Sequence, residues 1–270
     1  MISGLISERA GLRLATITIF LATAAQVFAQ GGGGGAPAAP PPPKAGAPID
    51  LTGYWVAVVT EDWRFRMMVP PKGDYASVPL NPEGRKVADT WAPGKDTGDD
   101  QCKPYGAPGL MRIPGRLHIT WENDTTLKLE TDAGTQTRLF PFQTPVRPGS
   151  APAKVEAPAG PAGWQGTSAA QWEYGPGGRG ANPATLGGSL KVVTRNMKPG
   201  YIRKNGVPYS ANAVLTEYYS KTQEPNGDSW LIVTSVLDDP TYLNQPFITS
   251  TNFKRQADNK GWHPTPCSAE

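Results

Sequence analysis

Short runs of β-forming residues recur along most of this 270-residue chain, and each run is closed by Gly, Pro, Asn or Asp. Runs of this kind are typical of strands joined by turns. Eight are clear and two, 63–69 and 165–172, are weaker. The clear runs are 54–60, 116–121, 126–131, 136–142, 190–195, 213–219, 230–237 and 247–253.

Only one segment carries the features of a helix. Asn81 can cap it, Pro82 suits its first position, and the pattern continues to about Trp91. About ten strands with almost no helix predict an all-β fold, either an antiparallel barrel or a sandwich.

Residues 1–29 have the pattern of a secretory signal peptide. Arg9 and Arg13 lead into an apolar run at 14–27, and Ala29 follows at a position suited to cleavage. The run is too short for a comfortable membrane span of roughly 20 residues, although an N-terminal anchor is the alternative. We expect cleavage near Gln30, a periplasmic or extracellular protein, and no integral membrane segment in the mature chain.

Residues 30–48 hold five consecutive glycines and then mostly Ala and Pro. Such a segment cannot bury enough apolar surface to offset its ordering entropy, which predicts a disordered tether. A proline-rich ligand for a partner is the alternative. The remaining residues, 49–270, are enough for a single domain with a proper core.

Composition and motifs exclude several function classes. With 26 basic and 23 acidic side chains and no long run of either sign, the chain lacks the basic stripe of a nucleic-acid-binding protein. Residues 175–180 fit G-x-G-x-x-G, but no helix pattern follows, so a dinucleotide site is rejected. No G-x-S-x-G elbow is present. We expect no cofactor.

The chain has two cysteines, Cys102 and Cys267. An isolated pair in an exported chain predicts one disulfide. A metal site shared with His263 is the alternative, but the spacing fits no common ligand pattern, so no metal site is expected.

The predicted domain opens with Asp50-Leu51-Thr52-Gly53-Tyr54-Trp55, and this Gly-x-Trp resembles the lipocalin opening, in which the Trp plugs the closed end of the barrel. The chain also resembles secreted bacterial proteins with a DL(T/S)GxW opening. The matching elements are Cys102 to Pro108, Trp164 to Ser168 with Trp172-Glu173, and Asp239-Pro240. The resemblance covers most of residues 50–267. It implies an antiparallel lipocalin-like (calycin-type) β-barrel of about 8–10 strands with one short helix, and an extracytoplasmic compartment. It implies no reaction.

Strand register gives the main candidate site. Keeping apolar residues on one face requires three-residue loops at 123–125 and 133–135. His118 then lies opposite Glu130, Glu130 lies opposite Arg138, and Arg116 neighbours His118. Inside a barrel this row can tune an imidazole as a general base, which makes His118, Glu130 and Arg138 candidate catalytic residues. On the outer face it is a ladder of charge pairs.

Other side chains are candidates for ligand binding. Arg64 and Arg66 flank Phe65 on a predicted strand and can bind a carboxylate. Glu173 can line a cavity or cap a barrel rim. Several tryptophans belong either to the core or to a pocket. The predicted ligand-binding residues are Arg116, Arg64, Arg66, Trp55, Trp121 and Glu173.

Three functions remain open. The first is a secreted or periplasmic barrel that binds a small apolar or aromatic molecule in its lumen. The second is a cofactor-independent isomerase, lyase or hydrolase with His118 as general base and Glu130 as its orienter. The third is a non-catalytic envelope protein whose long loops, 144–163 and 174–188, hold a protein partner. A cavity in the lumen favours the first, a cavity with buried His118 and Glu130 the second, and a filled interior the third.

Overall fold

The computed structural model describes residues 39–143, 154–176 and 186–270. Residues Ala39–Glu270 form one compact unit. Its strands are β1 Gly53–Val58, β2 Arg116–Asn123, β3 Thr126–Thr131, β4 Thr137–Pro141, β5 Thr167–Tyr174, β6 Gly188–Arg195, β7 Gly200–Arg203, β8 Val207–Tyr209, β9 Val214–Gln223, β10 Ser229–Asp238 and β11 Phe247–Gln256. Its helices are α1 Trp63–Arg66, α2 Pro82–Ala88 and α3 Ala107–Leu110, with 3-10 segments at Gly98–Tyr105 and Ala133–Thr135.

Nine strands form one antiparallel sheet in the order β4-β3-β2-β1-β11-β10-β9-β6-β5. The two edge strands, β4 and β5, approach each other where Phe142 forms an isolated bridge with Ala170. The sheet is therefore a nearly closed barrel, and the predicted all-β barrel is confirmed. Strands β7 and β8 form a separate hairpin.

The eight clear runs and the run at 165–172 all coincide with strands. The run at 63–69 was wrongly predicted as a strand, because its first residues form the single helical turn α1. Asp62 has a left-handed backbone, φ 50°, and its carbonyl accepts from the backbone N–H groups of Phe65 and Arg66. This turn redirects the chain and overrides the alternating sequence pattern. The short strands β7 and β8 were missed.

Helix α2 begins as predicted and ends at Ala88, slightly before the expected Trp91. The Asn81 side chain caps it by accepting from the backbone N–H of Gly84 at 2.8 Å. Across the described ranges, no helix combines the length and the apolar character needed to cross a bilayer.

Side chains fill the barrel interior, because alternate residues of each strand point inward. Trp55 is fully buried there and donates its indole N–H to the Leu51 carbonyl at 2.9 Å. The interior cluster also includes Leu117, Ile119, Leu127, Leu129, Phe140, Leu190, Val192, Tyr219, Leu231, Val233 and Phe253.

One end of the barrel, which we call the capped end, lies where β1 ends and β2 begins. A second apolar cluster covers it and joins α2, the β7–β8 hairpin and the first residues of β9. Its members include Leu80, Ala88, Ile202, Val207, Tyr209, Leu215 and Phe247.

The opposite end, which we call the hairpin end, contains the β2–β3 turn and contacts residues 39–48. The indole of Trp172 donates to the Pro43 carbonyl at 2.8 Å, and the Lys44 N–H donates to the Asp124 carbonyl at 3.1 Å. The last part of the predicted tether thus packs on the barrel, and the compact unit starts before the predicted boundary at Ile49. The glycine stretch and the predicted signal peptide lie outside the described residues.

The predicted disulfide is confirmed: Cys102 bonds to Cys267 across 165 residues. It joins the 3-10 segment Gly98–Tyr105, near the capped end, to the C-terminal tail. Of the two predicted long loops, residues 144–153 and 177–185 lie outside the described residues.

Candidate functional site

His118 and Glu130 are cross-strand partners, as predicted, and His118 Nδ1 lies 3.3 Å from Glu130 Oε2. The β2–β3 connection differs from the expected three-residue loop, because Asn123 pairs with Thr126 and an irregularity between Trp121 and Asn123 absorbs the extra residue. Both side chains lie on the outer face of the barrel and are part exposed. The pair is therefore not in the lumen.

Arg138 does not join this row, which corrects the prediction. The β3–β4 hairpin closes with a hydrogen bond from the Thr131 N–H to the Gln136 carbonyl, so Glu130 pairs with Thr137 instead. A one-residue slip moves every side chain of a strand to the other face. Arg138 consequently points into the barrel, whereas Leu139, which the expected register places on the apolar face with Leu127 and Leu129, is 50% exposed.

The surroundings of His118 are aromatic. The Tyr54 ring stacks on the imidazole with centroids 4.1 Å apart, and the indole of Trp262 meets both rings edge-on. Lys128 Nζ lies 3.4 Å from the Glu130 carboxylate. Arg116 does not extend this group, because its guanidinium turns toward Asp132, 3.8 Å away.

Inside the barrel, Arg138 forms a two-pronged ion pair with Glu217. The Nη1–Oε1 distance is 2.9 Å and the Nη2–Oε2 distance is 2.6 Å. Arg138 Nη2 also donates to Thr194 Oγ1 at 3.1 Å, and that oxygen lies 2.8 Å from Ser168 Oγ. Burial alone would lower the pKa of Arg138, but the neighbouring charge of Glu217 raises it above its ordinary value. The pair holds the β4 side of the barrel to β9.

The other predicted ligand residues are dispersed. Arg64 is exposed and paired with Asp74. Trp55 belongs to the core. Trp121 stacks on Phe142 at the hairpin end, at a centroid distance of 5.6 Å. Glu173 lies on β5, 3.8 Å from Lys191. Of the predicted set, Arg66 alone lines the cleft described next.

A cleft of about 240 Å³ opens at the capped end, between α1, α3 and β7. We call it the arginine cleft, because Arg66, Arg112 and Arg203 line it. These three residues are only 7%, 5% and 3% exposed. Arginine is almost never buried to this degree unless it is paired.

Two carboxylates serve these three arginines. Arg66 pairs with Glu61, and Arg112 pairs with Asp62 at 2.8 Å. Arg203 donates to the Ala76 carbonyl at 2.6 Å, and its guanidinium stacks 4.0 Å from the centroid of the Phe65 ring. Arg203 has no ion pair of its own within the described residues.

Four buried guanidinium nitrogens in this cluster have no hydrogen-bond partner among the described residues. They are Arg66 Nη2, Arg112 Nη1, Arg203 Nε and Arg203 Nη2. Burial, together with the charge of Arg112, lowers the pKa of Arg203 to about 10. Burial likewise lowers the pKa of Arg66. The cleft thus holds positive charge that the protein itself does not fully neutralise.

The rest of the cleft is largely apolar, with walls formed by Phe65, Met67, Met68, Val69, Ile113 and Ile202. Lys204 and Glu270 also line it, and Lys204 Nζ donates to the backbone oxygen of Glu270 at 2.6 Å. Cations and apolar walls together suit a molecule that has an anionic head and an apolar body.

Sequence reasoning missed Arg112 and Arg203. Arg112 sits in the apolar stretch Leu110-Met111-Arg112-Ile113, and Arg203 directly follows Tyr201-Ile202. An arginine among apolar neighbours is a signal for a buried guanidinium. That signal does not reveal that the two side chains meet Arg66.

Asp96 is a buried carboxylate near the aromatic side chains of the capped end. It accepts from Lys103 Nζ at 2.6 Å and from the Tyr201 hydroxyl at 2.8 Å. Burial and the hydrogen bond to Asp96 raise the pKa of Tyr201 to about 12. Because both carboxylate oxygens of Asp96 already accept hydrogen bonds, Asp96 stabilises the capped end and leaves little acceptor capacity for a ligand.

Within the ranges that the structure describes, no three His, Cys, Asp or Glu side chains are grouped closely enough to hold a metal ion. Comparison of the chain with protein-family models, with curated proteins and with solved structures finds no match.

Proposed function

We propose that this protein binds a small anion with an apolar group in the arginine cleft. The observation that carries the proposal is the imbalance of Arg66, Arg112 and Arg203 against Glu61 and Asp62, with four guanidinium nitrogens left unpaired.

An anionic ligand follows from the cost of burying charge. A buried donor without a partner costs about 1–3 kcal/mol, and more when it belongs to a charged group. A carboxylate or phosphate in the cleft would accept hydrogen bonds from these donors and neutralise the excess charge. The planar guanidinium fork matches the oxygens of both groups.

The apolar walls support the second half of the proposal. Phe65, Ile113 and Ile202 can contact the body of a ligand whose head lies against the arginines. This keeps the expected small apolar or aromatic molecule but adds an anionic head. It also places the ligand outside the barrel lumen, which side chains fill.

Export and a lipocalin-like origin remain part of the proposal. The Cys102–Cys267 disulfide supports an oxidising compartment. The Gly53-Tyr54-Trp55 opening lies at the start of β1, and Trp55 is buried inside the barrel, which agrees with the lipocalin-like resemblance.

The test is thermal unfolding with sodium octanoate and, separately, inorganic phosphate. Ligand at about 100 times its Kd stabilises the folded state by about 2.7 kcal/mol, which raises the Tm of a domain this size by roughly 5–10 °C. We expect this shift in the native protein and its loss in Arg203→Met. Arg64→Met is the matched control, because Arg64 is exposed and does not line the cleft. No shift in the native protein, or an equal shift in Arg203→Met, would refute the proposal.

A second candidate is a cofactor-independent enzyme with His118 as general base. The 3.3 Å contact between His118 Nδ1 and Glu130 Oε2 supports it, whereas the position of the pair on the outer face, outside the lumen, counts against it. Hydrolysis of p-nitrophenyl acetate by the native protein and by His118→Ala tests it. Equal rates would contradict the role of His118. The filled interior favours the third function, an envelope protein that holds a partner through its long loops. It stays a prediction, because residues 144–153 and 177–185 lie outside the described residues.

A further inference from the structure

We infer that the anion in the arginine cleft is the phosphate headgroup of an anionic phospholipid in a bilayer, and that Trp63, Met67, Met68 and Val69 enter the interfacial layer of that bilayer. This inference rests on the proposed function, because it names the source of the anion.

Exposed apolar side chains are concentrated in one segment of the protein. Of six exposed large apolar side chains in the described residues, four lie within 63–69. Trp63 is 62% exposed and Met68 is 65% exposed. The other two, Leu139 and Ile248, lie on separate strands. Single exposed apolar residues are ordinary, whereas a cluster marks an interaction surface.

This exposed apolar cluster and the arginine cleft share a wall. Met67, Met68 and Val69 are exposed and also line the arginine cleft. A headgroup held by the arginines would therefore lie directly beside side chains able to contact acyl chains. Trp63 does not line the cleft, so a small soluble ligand inside the cleft would leave it uncovered, whereas a bilayer surface would cover it.

Hydrogen bonds hold the segment 63–69 in place. The Met67 N–H donates to the Trp63 carbonyl at 2.8 Å, and the buried Arg66 donates from Nε to the Arg112 carbonyl at 2.9 Å. The exposed side chains thus project from a fixed turn. Tryptophan is enriched where protein meets the membrane interface, because its ring is apolar and its N–H is polar.

The surrounding charges are mixed, with an excess of cations at the cleft itself. Arg64 and Lys72 are exposed on the same segment, and Arg64 is paired with Asp74. Among the described residues that line the cleft, Glu270 is the one acidic side chain, against Arg66, Arg112, Arg203 and Lys204. Glu61 and Asp62 neutralise two of these arginines from outside the lining. Basic residues near a bilayer are attracted to anionic lipids.

Cosedimentation with vesicles tests the inference. One preparation is phosphatidylglycerol with phosphatidylcholine, and the other is phosphatidylcholine alone. We expect binding to the first and little to the second. Trp63→Ser should weaken binding by about tenfold, since a large apolar side chain would no longer be buried. Ile248→Ser, which removes an equally exposed apolar side chain from β11, is the matched control and should bind like the native protein.

The Tm shift with inorganic phosphate, measured on the same proteins, separates the two proposals. A phosphate shift without vesicle binding, or vesicle binding that Trp63→Ser leaves unchanged, would overturn the lipid inference and leave anion binding intact. Absence of both the phosphate shift and vesicle binding would overturn both. Loss of both in Arg203→Met, with loss of vesicle binding alone in Trp63→Ser, is the result that supports the inference.

Discussion

Arg138 on β4 faces Glu217 on β9 within the barrel and donates two hydrogen bonds to its carboxylate, at 2.9 and 2.6 Å. Around the closure between β4 and β5, the strands β5 and β6 lie between them. The pair therefore spans the interior across the junction of the two edge strands and ties β4 to β9. Both side chains are almost fully buried.

Replacing one member of this pair should be costly. Arg138→Met leaves the Glu217 carboxylate buried without its counter-ion, and we expect a loss of about 3–5 kcal/mol in the free energy of unfolding. The double variant Arg138→Met/Glu217→Met should recover most of that loss. Urea unfolding of both variants measures this. A double variant as unstable as the single one would show that the pair itself, and not the unpaired charge, supplies the stability.

Arg203→Met should behave differently. Its charge has no ion pair within the described residues, and burial lowers its pKa to about 10, so removing the charge relieves a penalty while losing the hydrogen bond to Ala76. We expect the free energy of unfolding to change by less than about 1 kcal/mol. Arg66→Met is the comparison. This substitution leaves Glu61 without its ion pair and the Arg112 carbonyl without its donor. It should lower the free energy of unfolding by about 1–3 kcal/mol. A large loss in Arg203→Met alone would contradict an uncompensated charge in the cleft.

The raised pKa of Tyr201 predicts that the free energy of unfolding falls at alkaline pH. Its pKa is about 12 in the folded state against 10 ordinarily, so between these values the unfolded state has released a proton that the folded state still holds. Stability must therefore fall as the pH rises from 10 to 12. Tyr201→Phe should show a shallower fall in the same window. Urea unfolding at several pH values measures it, and identical slopes for the two proteins would contradict the shift.

The disulfide should contribute strongly to stability. Linking residues 165 apart restricts the unfolded chain by up to about 5 kcal/mol on the entropic model. Cys102→Ser/Cys267→Ser should lose stability toward that limit in urea unfolding. A reductant should destabilise the native protein by a similar amount and leave the double variant unaffected. A reductant effect on the double variant would point to a cause other than this bond.

Local patterns predicted the barrel well, because strands with one buried face alternate in sequence. The same reasoning failed at β4. It placed Leu139 on the apolar face of the strand and Arg138 on the polar face with His118 and Glu130, because the pattern of a single strand does not show that Glu217 lies inside the barrel as a counter-ion. It also failed at α1, where the backbone of Asp62 decides the turn.

The arginine cleft could not be predicted from the sequence. Arg66 was predicted to bind a ligand because it flanks Phe65 together with Arg64. Arg112 and Arg203 come from other parts of the chain and meet Arg66 only in the folded capped end. A pattern read along a strand or helix reports neighbours in sequence. The excess of guanidinium groups over carboxylates in the cleft arises only when the folded chain brings these residues together.

The arginine cleft and residues 39–48 lie at opposite ends of the barrel. Strand β2 runs between these ends, and its eight residues at about 3.3 Å each span about 25 Å. A molecule seated by its cleft on a flat surface would thus hold residues 39–48 on the far side. The domain would then act as a spacer that keeps residues 39–48 about one barrel length from that surface.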